Sequence, residues 1–307
     1  MAHANDNQHV HDPHIIKAGR YYYVFSTGPG VQIRRSKDLV SWTFVGRVFT
    51  PDVPEWAKKE IPEATSVWAP DISYYGGRYR LYYTVSRFGT NTSFIGLATN
   101  RALDPASKEY AWKDAGMVIR STAPNDYNAI DANLVDAGGG KYALSFGSYW
   151  RGIELVDLDP ETGKPPAGAP IRYIAGRPNW GAIEAPHIIR RGGYYYLFVS
   201  FDRCCRGVRS TYNIRYGRSK TLDGPYVDRE GKPMLDGGGT LLLATEGRYI
   251  GPGHCSILKD GRRTLMAYHY YDGEAGGIAT IQVRPLNFTK DGWVTVGPPF
   301  GAPDGKP

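Results

Sequence analysis

Cysteine is scarce in this chain: there are three, Cys204 and Cys205 side by side and Cys255 next to His254. Without C-x-x-C pairs they make neither a disulfide framework nor a zinc site. Buried free thiols are the expectation, with a Cys204–Cys205 bridge as the alternative. Long apolar runs are also missing, which excludes a membrane-spanning helix. Charge of one sign is not concentrated either. Lys and Arg number 37 against 30 Asp and Glu, a formal net charge of +7, with no clustered basic recognition motif for nucleic acid. Neither nucleic acid nor a membrane is an expected partner. The opening residues MAHANDNQHV lack a basic segment followed by an apolar one, so no signal peptide is read there. Because the first structural phrase starts as early as Asp12, a trimmed extracellular protein is expected, with a cytoplasmic one as the alternative.

What is abundant is Gly, at 38 residues, and Tyr, at 23. That mixture suits short strands and tight turns. One phrase recurs five times: a polar residue, a short apolar strand, a Gly-containing turn and an aromatic strand. The copies are DPHIIKAGRYYYVFST from Asp12, DISYYGGRYRLYYTVS from Asp71, DANLVDAGGGKYALSFGS from Asp131, EAPHIIRRGGYYYLFVS from Glu184 and HCSILKDGRRTLMAYH from His254. Their starts lie 59, 60, 53 and 70 residues apart. A strand-and-turn repeat of about 60 residues points to a propeller. A second phrase follows each copy, as in VQIRRSKDLVSW, IGLATNRALDP and IRYGRSKTLDGPY. It supplies the third and fourth strands, with Trp42, Trp112, Tyr226 and Trp293 as packing residues. Length alone would allow two domains, but the repeats fill the chain. Residues 1–307 therefore read as a single all-β five-bladed β-propeller. Segments 50–66, 160–180 and 236–249 break the pattern and read as loops, the first with one helical turn.

The first residue of each phrase carries the functional expectation. Equivalent positions of the blades sit at equal distance from a propeller axis, so Asp12, Asp71, Asp131, Glu184 and His254 should converge. Crowded carboxyls are costly unless they do chemistry or bind cations. Glycoside hydrolysis needs one ionised carboxylate and one protonated carboxyl, and a third charged carboxylate raises the acid's pKa by repulsion. His14 and His187 read as structural strand residues.

The segments VHDPHI, SVWAPDI, YNAIDANL, AIEAPHI and GPGHCSI, in that order, resemble glycoside hydrolase family 43. NTSFIGLATN, LSFGSYWRGIEL and YYYLFVSFDRCCRGV are similar to its endo-1,5-α-L-arabinanases. The resemblance implies an inverting five-bladed propeller enzyme acting on internal α-1,5 bonds of arabinan, the side chains of pectin. It implies Asp12 as general base, Glu184 as general acid and Asp131 as the residue that raises the Glu184 pKa; Ala132 departs from the proline usual after that aspartate. It further implies a hydrated metal ion, commonly calcium, held with His254 in the central channel. Arabinan is neutral, so aromatic faces and hydrogen bonds must supply affinity. Trp68 and Phe88 are the expected sugar platforms, and Asp71, Asn133, Ser148 and Trp150 the further substrate contacts. A monomer is expected. The rival readings are an exo-acting arabinanase, an arabinofuranosidase or a β-xylosidase on the same fold, and a sugar-binding propeller without turnover. Residues that differ blade by blade favour one central site over repeated lectin sites.

Overall fold

The computed structural model describes residues 8–301. They form five four-stranded antiparallel sheets in chain order. The innermost strands are His14–Ala18, Trp68–Tyr75, Asn133–Gly138, Ile183–Arg191 and Tyr249–Asp260. Each touches the innermost strand of both neighbouring blades, and the fifth touches the first, so the ring is closed. Alternating turn residues and aromatic runs produce these hairpins: YYYVFS and YYYLFVSF each form the second strand of a blade, paired to the inner one. The segment 50–66 holds the six-residue helix Glu55–Glu60.

The core is not central. It lies between blades, as five apolar clusters, one per interface. Phe25 of blade one packs with Leu81 and Val85 of blade two, all at 0% exposure. Burying each such side chain contributes roughly 1.5–3 kcal/mol. Trp42, Tyr226 and Trp293 are buried and Trp112 packs on the first cluster, so the packing role expected for them holds. The last interface is also tied by backbone. The Val10 N–H donates to the Ala279 carbonyl and the Ile281 N–H to that of Gln8, which lays residues 8–10 on blade five.

The inner strands do not run straight to the axis. At or just before each inner strand one non-glycine residue takes a positive φ: Asp12 (51°), Ala69 (42°), Asp131 (57°), Ala185 (55°) and His254 (49°). In blades two, four and five it falls in a register break of the inner hairpin. Left-handed backbone costs of order 1–3 kcal/mol at a non-Gly residue and persists only where its surroundings enforce it. Here each kinked N–H is captured by a side chain. Asp12 donates to His269 Nδ1 (3.1 Å), Ala69 to Thr27 Oγ1 (2.8 Å) and Asp131 to Thr84 Oγ1 (3.3 Å). Ala185 donates to Asp131 Oδ2 (3.1 Å) and His254 to Ser200 Oγ (2.9 Å).

Candidate active site

The kinks define two rings of side chains. The outer one opens into a cleft of about 520 Å³, lined by Asp12, Asp131, Glu184 and His254. Blades two and four have alanine at the kink, so Glu184 enters from the position before Ala185. The second ring lies two residues further along each strand: His14, Asp71, Asn133, His187 and Ser256. It is buried and closed on itself. His14 Nδ1 meets Asp71 Oδ1 at 2.9 Å, and Asn133 Nδ2 donates to Asp71 Oδ1 at 2.9 Å. In four of the five blades the following backbone N–H donates back to the preceding blade: Leu134 to Asp71, Ile188 to Asn133, Ile257 to His187 and Ile15 to Ser256.

This second ring corrects two expectations. Asp71 is 1% exposed and Asn133 2%, and neither lines the cleft, so neither is placed as a substrate contact. In a strand, residues two apart share a face, so the sequence repeat aligned Asp71 with Asp12, whereas the kink aligns it with His14. The other expected contacts, Trp68, Phe88, Ser148 and Trp150, do line the cleft. Phe88 is 80% exposed, with its ring edge-on to that of Trp68 at 6.3 Å.

The electrostatics separate the carboxyls. Burial raises the Asp12 pKa, but the imidazoles of His11 and His254 outweigh it and hold this carboxyl well below its usual range. His11 Nδ1 lies 2.8 Å and His254 Nδ1 3.1 Å from Asp12 Oδ1. Burial raises Glu184 and Asp131 as well. Repulsion from Glu184 and Asp12 adds to the effect on Asp131, which reaches about 8 despite the charge of His254. For Glu184, hydroxyl donors oppose the rise: Ser148 Oγ donates to Oε2 and Tyr212 OH to Oε1, both at 2.6 Å. Burial lowers His254, yet Asp12, Asp131 and Glu184 together push it to about 9. The cleft therefore pairs an ionised carboxylate, Asp12, with a carboxyl raised toward its acid form, Glu184.

Several of these groups escaped the sequence reading. His11 precedes Asp12, and Tyr212 lies two residues before the phrase IRYGRSKTLDGPY, so adjacency to motif residues was the available signal. His269 and Tyr271 carried none. Tyr212 reaches Glu184 because it lies flush on the backbone of Gly253, where a Cβ would come within 1.9 Å of its ring. The expectation of free thiols fails at Cys204 and Cys205, which are joined by a disulfide. The turn leaving the second strand of blade four, with Asp202 and Cys205 at φ 68°, presents both cysteines to the cleft. Cys255 is a buried free thiol, pushed up to about 12 by burial. The Cys205 N–H donates to Tyr271 OH (2.7 Å), and that hydroxyl lies 2.8 Å from His11 Nε2. A hydrogen-bonded chain thus runs from the disulfide turn to Asp12.

His254 offers a metal a single nitrogen. Among the described residues it belongs to no group of three ligating side chains within 4.8 Å of one another. Calcium takes 6–8 oxygen ligands, so this donor set suits only an ion that keeps most of its water.

Two oppositely tuned carboxyls in an open cleft, with aromatic faces beside them, define a glycoside hydrolase. The comparisons agree. A family model described as glycosyl hydrolases family 43 matches residues 6–294, and the chain belongs to that family. An extracellular endo-alpha-(1->5)-L-arabinanase of Bacillus subtilis is 44% identical over 94% of this chain and 87% of its own length. An extracellular exo-alpha-(1->5)-L-arabinofuranosidase of Cellvibrio japonicus is 39% identical over 94% of this chain and 86% of its own. The solved alpha-L-arabinanase of Cellvibrio cellulosa complexed with arabinohexaose superposes with a TM-score of 0.91 at 39% identity, covering 94% of this chain and 96% of that one.

Proposed function

We propose that this enzyme cleaves internal α-1,5-L-arabinofuranosidic bonds of arabinan with inversion. The observation that carries the reading is the opposite tuning of Asp12 and Glu184 within one open cleft. Water attacks the anomeric carbon of the sugar and gives its proton to Asp12. Glu184 protonates the departing O5. Asp131 holds the Ala185 N–H through Oδ2 and so fixes the backbone next to the acid. The two buried carboxyls disfavour being ionised together, so Asp131 and Glu184 share a raised proton affinity. Trp68 and Phe88 offer ring faces to a neutral sugar chain, and Trp150 lines the same cleft.

Incubation with debranched linear arabinan, with products followed over time, tests the reading. Oligomers that appear early and shorten later are expected. A single small product from the start establishes instead the exo mode, the second reading, which an exo-acting relative at 39% identity supports. Relatives named extracellular support secretion, and the same reading has the enzyme acting as a monomer. A hydrated calcium ion beside His254 belongs to this proposal, with His254 giving up its proton where it ligates the ion; its charge would steady the axial carboxylates. Chelation is expected to lower the melting temperature and added calcium to restore it, while an unchanged melting curve removes the ion.

A further inference from the structure

The contacts of His11 decide where its proton sits. Its Nδ1 lies 2.8 Å from Asp12 Oδ1, and its Nε2 2.8 Å from Tyr271 OH. A ring nitrogen that faces a carboxylate oxygen at this distance has to donate. The direction at the other nitrogen is set by Tyr271. The Tyr271 oxygen accepts the Cys205 N–H at 2.7 Å. Ser210 Oγ, the other hydroxyl beside this phenol, accepts the Arg206 N–H at 3.0 Å and keeps its own proton to give. The single proton of Tyr271 is therefore left for His11 Nε2. Cys205 Sγ, 3.8 Å from the same nitrogen, belongs to the disulfide and has no proton to offer.

The ring plane is held as well. His11 stacks on His269 with centroids 4.0 Å apart. His269 is the opposite tautomer: its Nδ1 accepts the Asp12 N–H, so its proton is on Nε2. It gives nothing to Asp12 Oδ1, 3.7 Å away. A carboxylate has about four acceptor positions. His11 and His254 both face Oδ1. Thr27 Oγ1 accepts the Ala69 N–H and donates to Oδ2 at 2.5 Å. The position left open is on Oδ2.

We infer that Tyr271 is a positioning residue for the general base: it fixes His11 as the neutral Nδ1–H tautomer, which occupies Oδ1 of Asp12 and leaves Oδ2 for the attacking water. The inference rests on the reading of Asp12 as that base. The order starts in the disulfide turn, because the Cys205 N–H orients the Tyr271 hydroxyl.

Two measurements test it. Asparagine places its amide nitrogen where histidine carries Nδ1, and glutamine where histidine carries Nε2. His11→Asn is therefore expected to keep most of kcat on linear arabinan. His11→Gln should lose about 10–100-fold in kcat with KM little changed, and Tyr271→Phe about tenfold. Equal loss or equal retention in the two His11 variants overturns the inference, as does an unchanged kcat in Tyr271→Phe. The second measurement is heteronuclear NMR of the full chain carrying isotope-labelled histidine, with the His11 signals assigned by their loss in His11→Asn. A protonated Nδ1 and a bare Nε2 are expected, with a shift toward the other tautomer in Tyr271→Phe. A proton on Nε2 in the parent, alone or together with one on Nδ1, overturns the inference. Asp12→Asn separates this failure from that of the underlying reading: substantial turnover there removes the base itself, whereas the NMR signals report the tautomer independently of activity.

Discussion

The two rings around the axis are made by the same five strands, two residues apart, yet they handle polarity in opposite ways. The inner ring satisfies its members with one another. Nearly every junction between blades is a side chain accepting a backbone N–H from the next blade. The outer ring leaves charges in competition: three carboxyls and an imidazole share one cleft, with two carboxyls raised and one depressed. Satisfied polar groups hold the propeller shut, and frustrated ones are available for proton transfer. Strained, kinked backbone at the outer ring is the local cost of that separation.

The largest effect expected from breaking this division is catalytic. Glu184→Gln and Asp12→Asn should each lower kcat/KM on arabinan by about 10²–10⁴-fold with an unchanged circular dichroism spectrum. Substantial turnover in either would remove that residue from its role. Asp71→Ala should do the reverse. It deprives His14, Asn133 and the Leu134 N–H of an acceptor and should cost roughly 3–5 kcal/mol, read by denaturant unfolding. The protein that remains folded is expected to keep its turnover number.

The rings should also fail at opposite ends of the pH scale. Burial holds His187 neutral, with its pKa lowered to about 3. The unfolded chain binds a proton near pH 6.5 that the folded one refuses, so stability falls as pH drops below about 6.5. Asp71 is lowered too, by its imidazole and amide partners working against burial; its contribution is present above the unfolded pKa of about 3.9 and lost as pH falls further. His254 is raised to about 9. Its contribution is full below about 6.5 and is lost as pH rises through 9. Asp131, raised to about 8, adds to the alkaline loss and opposes the acid one, so the two histidines are read as variant-minus-parent differences in melting temperature against pH. His187→Gln is expected to flatten the acid side and His254→Gln the alkaline side. The smallest effect belongs to Tyr212→Phe. Its hydroxyl favours ionised Glu184, so its loss should move the alkaline limb of kcat/KM upward by about one unit.

The repeat made the architecture legible, because hairpins with aromatic second strands recur in each blade. Asp12, Asp131, Glu184 and His254 were legible as well, since each begins its phrase and all four line the cleft. Asp71 was misplaced because a strand's period of two cannot distinguish a residue from one two places on, and a single left-handed residue decides between the rings. Nothing in the composition around Ala69 or Ala185 announces such a kink. His269 and Tyr271 come from the second strand of blade five and meet Asp12 and His11 respectively across the closure of the ring, a proximity that no local pattern encodes.

Gly253 gives the arrangement a consequence that polar residues alone would hide. The tyrosine that hydrogen-bonds the acid rests on bare backbone there. A methyl group at that position would collide with the ring and shift its hydroxyl from Glu184, altering the acid while leaving every titratable group in place. The proton affinity of the leaving-group donor is thus governed partly by shape, and substitution of a residue that carries no chemistry could retune the enzyme's working pH.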